Sequence, residues 1–139
     1  MAHMTLREQL KRDEGVVLTP YRDSVGKLTI GVGRNLDDVG ISQAEADFLL
    51  DNDIDRTRFS ILDRAPWANS LSECRQAVVV NMVFNLGIGG FLKFKNTIAA
   101  LKRGAWETAA RGMLDSKWAT QVGPRAHRLA KQMRTDTWQ

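Results

Sequence analysis

Cysteine and histidine are scarce in this chain of 139 residues, and each scarcity excludes something. Cys74 is the single cysteine, so no internal disulfide can form. It falls in the apolar helical pattern Leu71, Cys74, Ala77, Val78, which suits a small buried hydrophobe better than a reactive thiol. His3 and His127 stand far apart, and no His/Cys cluster has ligand spacing, so neither a metal nor a cofactor is expected. Long apolar runs are missing too. The longest apolar stretches lie in residues 77–86 and 97–101. They fall short of the roughly 18–20 residues a membrane span needs, so no stable membrane insertion is expected. No secretory pattern opens the chain. Met1-Ala2-His3-Met4 reads as a cloning scar and is set aside in fold reasoning; removal of a native leader at that point stays open.

What is present is enough for a folded domain. Hydrophobic residues make up 43%, and the length fits one domain over residues 5–139. The formal charge is +4. Much of the excess falls late, in Lys117, Arg125, Arg128, Lys131 and Arg134. Such a face suits a polyanion (nucleic acid, anionic lipid or bacterial cell wall) or simply faces solvent. No helix-turn-helix or aromatic-interleaved signature accompanies it, so nucleic acid is not an expected partner.

The periodicity predicts one helix, a small sheet, then helices: an α+β chain, predominantly helical. Leu6 and Leu10 mark a helix over 5–14, with Thr5 as its cap. Residues 17–33 contain Pro20, several glycines and the alternation Leu28, Ile30, Val32, which predicts two or three short strands turning at Gly26. Ser42-Gln43-Ala44-Glu45 is a capping box. The helix it opens, over 43–62, would span roughly 30 Å at about 1.5 Å per residue and could join two lobes. Pro66 breaks the pattern. Ser70-Leu71-Ser72-Glu73 reads as a second capping box, opening an almost wholly apolar helix over 71–86 that belongs at the centre of a helical lobe. Asn81 is its polar exception; a buried amide without partners costs about 1–3 kcal/mol. Shorter helices follow over 95–103, 105–114 and 124–134, with Gly104 as a stop and Pro124 at a first helical position. Trp106 and Trp118 read as packing residues.

Three polar residues carry candidate chemistry. Glu14 ends the first helix in Asp13-Glu14-Gly15, and Asp23 and Thr29 lie in the hairpin that follows. A helix end facing a hairpin can hold two carboxyl groups across a gap with a hydroxyl beside one. Cleaving a glycosidic bond with water needs a proton donor, here Glu14 at an enclosed helix end, and a group opposite that orients or deprotonates water, here Asp23 with Thr29. By spacing alone, a glutamate on a solvated helix and an aspartate in a turn are ordinary.

The surrounding residues are not. The run Asp-Glu-Gly-x5-Tyr-x-Asp-x2-Gly-x2-Thr-Ile-Gly-x-Gly, residues 13–33, resembles the catalytic region of bacteriophage-type lysozymes, also called endolysins or muramidases. The resemblance continues through Asn81-Met82-Val83-Phe84-Asn85-Leu86-Gly87, Phe94-Lys95-Asn96-Thr97, Ser116-Lys117-Trp118, Pro124-Arg125-Ala126 and Arg134-Thr135-Asp136-Thr137-Trp138, in the family's order. It implies a lysozyme-like two-lobed fold: a sheet lobe over about 15–60 and a helical lobe over about 61–139, with helix 5–14 packed on the latter. It implies hydrolysis, by inversion, of the β-1,4 bond between N-acetylmuramic acid and N-acetylglucosamine in peptidoglycan, causing host cell lysis. Glu14 is then the general acid, Asp23 the second carboxylate and Thr29 the hydroxyl that positions water. Whether Asp23 acts as a base or only as a charge stays open.

Further positions carry over singly. Phe84 matches a sugar-contacting aromatic, with a core role as its plain alternative. Thr97 matches a small hydroxyl residue that reaches substrate, and Asn35 or Leu36 a backbone contact on the upper lip. Arg125 matches an arginine beside the catalytic glutamate, where it would pair with Glu14 or Asp13, with Asn81 orienting it. The resemblance implies peptidoglycan as partner, a monomer, and retention in the host cytoplasm until a separate holin opens the membrane. Three departures stand out. Arg34 replaces a histidine and is expected to pair with Asp53; Gly112 removes a polar substrate contact; segment 34–41 is shorter than in larger relatives, which would leave the lower lobe more open. The competing readings are a non-catalytic peptidoglycan-binding lysozyme-like module, and a lytic transglycosylase, which would leave an anhydro sugar.

Overall fold

The computed structural model describes residues 3–139; Met1 and Ala2 of the expected scar lie outside them. The chain divides after Leu49 into two units, the second being Leu50–Gln139. The order is α1 (Leu6–Glu14), β1 (Val17–Arg22), β2 (Leu28–Gly31), β3 (Arg34–Asn35), α2 (Gln43–Arg64), a 3-10 turn (Pro66–Ser70), α3 (Glu73–Leu92), α4 (Lys95–Lys102), α5 (Trp106–Leu114), α6 (Lys117–Val122) and α7 (Pro124–Thr135). Among the described residues, seven helices and one small antiparallel sheet give the predominantly helical α+β class that the periodicity predicts.

In the N-terminal unit, α1 begins at a full capping box. Thr5 Oγ1 accepts from Glu8 N at 3.1 Å, and Thr5 N donates to the Glu8 carboxylate at 2.9 Å. Gly15, at φ 77°, turns the chain out of the helix. β1 and β2 pair antiparallel, with Tyr21 opposite Thr29 and Arg22 opposite Leu28, and a bulge between Val17 and Tyr21. Pro20 sits in that irregular stretch of an edge strand, where its missing donor breaks no ladder. β3 is two residues long and pairs Asn35 with Thr29 and Arg34 with Ile30. The capping box predicted for α2 forms, with Ser42 N donating to Glu45 Oε1 at 2.9 Å and Glu45 N to Ser42 Oγ at 3.1 Å.

The hydrophobic core lies in the C-terminal unit, built from α3, α4, α5, α7 and the end of α2. The second predicted capping box does not form. Ser70 closes the 3-10 turn, Leu71 is extended, and Ser72 caps α3 by accepting from Arg75 N at 3.2 Å. The helix therefore starts at Glu73 and not at 71. Nor is it buried all round: Val78, Val79, Met82 and Val83 enter the core, while Phe84 is 44% exposed. By length and composition α3 is apolar enough to cross a membrane, longer than any apolar run seen in the sequence. Gly87 interrupts it, however, at φ 75°, ψ 162°. Both tryptophans pack as predicted. Trp118 is buried, donates from Nε1 to Asn85 Oδ1 at 2.9 Å, and meets Phe94 edge-on. Cys74 is buried too, and desolvation pushes its thiol pKa up.

Arg75 is a structural residue that sequence reading misses. Its Nε donates to Met133 O at 2.7 Å and Nη2 to Arg134 O at 3.2 Å. Its guanidinium lies 3.9 Å over the Trp106 ring and 3.6 Å from Asp136. Asp136 ends α7 in the left-handed region, at φ 57°. Ser72 Oγ donates to the same carboxylate at 2.5 Å. The start of α3, the start of α5 and the end of α7 thus meet on one side chain.

Candidate active site

Each predicted site residue falls within one of the two units. Glu14, Asp23, Thr29 and Leu36 belong to the N-terminal unit; Asn81, Phe84, Thr97 and Arg125 belong to the C-terminal unit.

Asp23 and Thr29 are tied through one residue. Asp23 Oδ1 accepts from Lys27 N at 2.8 Å and from Val25 N at 3.0 Å, closing the turn around Gly26. Thr29 Oγ1 donates to Lys27 O at 2.9 Å. The Lys27 backbone therefore holds both side chains. Asp23 is half-buried and Thr29 is 3% exposed. The hydroxyl proton of Thr29 is committed to a carbonyl, so its oxygen is left to accept. Asp23 Oδ2 makes no hydrogen bond within the described residues, which leaves one carboxylate oxygen for a ligand.

Glu14 is the last residue of α1 and is exposed, so the N-terminal unit alone does not provide the enclosed helix end expected for a proton donor. Its side chain lies against Gly33. A Cβ built on Gly33 would meet Glu14 Cγ at 3.4 Å, Cδ at 3.1 Å and Oε2 at 2.8 Å. Gly33 also sits at φ 66°, so both its backbone and its missing side chain matter here. Neighbouring Asp13 is taken up by Arg12 at 3.0 Å. On the lip, the Leu36 N–H is committed to Leu28 O at 2.7 Å, so a backbone contact from Leu36 would use its carbonyl. Asp37 accepts from Leu28 N at 2.8 Å and holds the lip to β2, a contact with no local sequence signal.

The Arg34–Asp53 pair predicted from sequence does not form. Arg34 makes a bidentate fork to Glu45, with Nη2–Oε2 at 2.7 Å and Nη1–Oε1 at 2.9 Å. Asp53 pairs instead with Arg56, three residues along the same helix. The reason is reach: Asp53 lies eight residues beyond Glu45 on α2, roughly 12 Å further along the axis at about 1.5 Å per residue. The fork and the Ser42 donors hold the Glu45 carboxyl pKa down at about 2. Because this folded value lies below the unfolded one, the pair stabilises fully above the ordinary glutamate range and is lost as pH falls through about 2. An NMR titration should therefore show Glu45 ionised at pH 3, and an Arg34→Met variant should raise its midpoint toward the ordinary range, with the Ser42 hydrogen bonds still holding it below.

In the C-terminal unit, Asn81 and Phe84 on α3 and Arg125 on α7 line a cavity of about 310 Å3 with Leu50, Ile54 and Arg58. Asn81 Oδ1 accepts from Arg125 Nε at 3.0 Å and Nη2 at 2.6 Å, so the amide is satisfied by the guanidinium it orients. Thr97 lines a second cavity, of about 490 Å3, beside Asn96, Lys117 and Trp118. The room it occupies exists because residue 112 is glycine: a Cβ there would stand 2.4 Å from Thr97 Oγ1. Among the described residues, no group of three or more His, Cys, Asp or Glu could hold a metal ion.

A small antiparallel sheet, a mainly helical second unit, and a helix-end carboxylate preceding a hairpin that carries a second carboxylate in its turn and a buried threonine in its second strand define the lysozyme-like α+β class. The chain belongs to the phage lysozyme family, whose model, described as "Phage lysozyme", matches residues 11–135. It is 28% and 26% identical to probable T4-type lysozymes 2 and 1 of Dictyostelium discoideum, covering 96% of this chain and 95% of each relative. It is also 29% identical to the pre-baseplate central spike protein Gp5 of Enterobacteria phage T4, covering 91% of this chain but only 27% of that protein's length. Family membership supports a lysozyme-like function of the glycoside hydrolase class.

Proposed function

We propose that this chain hydrolyses the β-1,4 bond between N-acetylmuramic acid and N-acetylglucosamine in bacterial peptidoglycan, with inversion. The observation that carries this reading is the Lys27 backbone holding Asp23 and Thr29 together, with one Asp23 oxygen and the Thr29 lone pairs unspent. A water bound there donates one proton toward Thr29 Oγ1 and the other toward Asp23 Oδ2. As its oxygen attacks the anomeric carbon, Asp23 takes the proton, while Glu14 gives its own to the leaving glycosidic oxygen. The water's oxygen ends on the sugar opposite the departing group, hence inversion. By the family resemblance Leu36, Phe84 and Thr97 are proposed, each within its own unit, as glycan-contacting residues, and Asn81 holds the Arg125 guanidinium in a fixed orientation. NMR of the fresh product settles the reaction: the α anomer supports it, the β anomer implies a covalent intermediate, and an anhydro sugar implies a transglycosylase.

The substrate's anionic setting fits the charge pattern. Ten basic residues stand between Lys93 and Arg134 against two acidic ones, Glu107 and Asp115. Among the described residues none of the ten is in an ion pair. Reversing Arg128, Lys131 and Arg134 should slow lysis of permeabilised cells several-fold at low salt and leave cleavage of soluble glycan unchanged. An unchanged lysis rate removes the attraction. Within the same reading the enzyme acts as a monomer and waits in the host cytoplasm for a holin to open the membrane.

A further inference from the structure

Arg34 follows Gly33 directly in the chain, and its guanidinium is fully engaged on one side. Nη1 donates to Glu45 Oε1 at 2.9 Å and to Gly40 O at 3.0 Å; Nη2 donates to Glu45 Oε2 at 2.7 Å. Glu45 is not a loose surface group, because the capping box with Ser42 fixes it to the first turn of α2. The first residue of β3 is thus fastened to a rigid helix start and to the far end of the lip.

Glu14 needs such an anchor. Its carboxyl arm makes no hydrogen bond within the described residues. Three successive atoms, Cγ, Cδ and Oε2, lie progressively closer to the Gly33 Cβ position, so the arm lies across that glycine. Where the carboxyl sits therefore depends on where Gly33 sits. The backbone offers little: β3 contributes two residues, and Gly31 and Gly33 on either side of Val32 both have positive φ. A turn with two glycines is soft unless something outside it is held.

We propose that Arg34 is a positioning residue for Glu14: its fork to Glu45 and Gly40 fixes the Gly33 peptide on which the carboxyl arm rests, and so sets where the proton is delivered. This rests on the hydrolase reading above. A lysine cannot make the fork, since an ammonium is a point charge without the planar pair of donors. Misplacement of a catalytic group by about 1 Å costs up to about 10²-fold in rate.

The test measures kcat and KM on soluble peptidoglycan fragments for the parent, Arg34→Lys and Glu45→Gln, with circular dichroism and thermal melts beside them. Folded Arg34→Lys should lose about 10-fold in kcat with KM within about 2-fold, and its Glu14 carboxyl 13C resonance should move. Glu45→Gln, which keeps a capping amide, should behave likewise to a smaller degree. Should Arg34→Ala be used, added guanidinium below its denaturing range should restore part of kcat. A cleaving parent whose folded Arg34→Lys keeps full kcat and an unmoved Glu14 resonance overturns the positioning role. So does a loss of kcat that only tracks the fraction unfolded. A parent that never cleaves the glycan defeats the hydrolase reading first, and this proposal with it.

Discussion

Glu14→Gln should lower the rate of glycan cleavage by about 10³-fold or more and leave the fold unchanged. A positioned general acid typically contributes about 10²–10⁴-fold, and an amide has no proton of suitable acidity to give. The structural cost should be near zero for specific reasons. Glu14 is exposed, makes no hydrogen bond within the described residues, and contacts Gly33 through atoms that glutamine also has. As the C-terminal residue of α1 it is also acidic at the end where the helix dipole disfavours negative charge, so neutralising it stabilises slightly if anything. Reducing-end release and turbidity loss of permeabilised cells both report the rate, with circular dichroism as control. Equal clearing by parent and variant would remove the glycosidase mechanism and leave a non-catalytic wall-binding module.

Arg75→Ala should cost about 3 kcal/mol of stability. The side chain is only 12% exposed and satisfies two carbonyls at the end of α7, a carboxylate and an aromatic face. Removing it strands Met133 O and Arg134 O and leaves Asp136 with Ser72 alone. Local preference argues against the residue. Arg75 stands in the first turn of α3, where the helix dipole opposes a cation, so its tertiary contacts must outweigh a local penalty. Urea unfolding of the parent and variant gives the difference directly. Ser72→Ala, which loses the α3 cap and one contact to Asp136, should cost about 1 kcal/mol. A loss below about 1 kcal/mol for Arg75→Ala would mean that water replaces its three polar contacts without penalty.

The fold was legible where signals are local. The caps at Thr5 and Ser42, the turn at Gly26, the stop at Gly104 and Pro124 at the start of α7 are all where the residue types place them. Each is decided within a few residues of chain. α6 was missed because six residues beginning after Ser116 carry too little periodicity to stand out. The second capping box failed because two serines two residues apart both fit the pattern, and the 3-10 turn, absent from any local signal, took the first. The pairing of Arg34 failed for a similar reason: several carboxylates of α2 carry the charge opposite to its own, and only the register between β3 and the helix start selects Glu45.

The candidate site divides the same way. The residue types and their order, Glu14 then Asp23 then Thr29, are properties of the sequence, because a carboxylate at a helix stop and an Asx turn before a strand are short-range features. Their chemistry is tertiary. The commitment of the Thr29 proton to Lys27, the sparing of one Asp23 oxygen, the bed that Gly33 makes for Glu14, and the Arg125–Asn81 fork between residues 44 apart all depend on which backbone groups the folded chain brings within about 3 Å. Sequence alone determined that this is a predominantly helical chain of the phage lysozyme type carrying its acidic pair, since capping, turn formation and residue identity are local. Only the tertiary structure decided which oxygens are free to act and which cations are already spent, because a hydrogen bond falls away within a fraction of an ångström and no pattern along the chain resolves that distance.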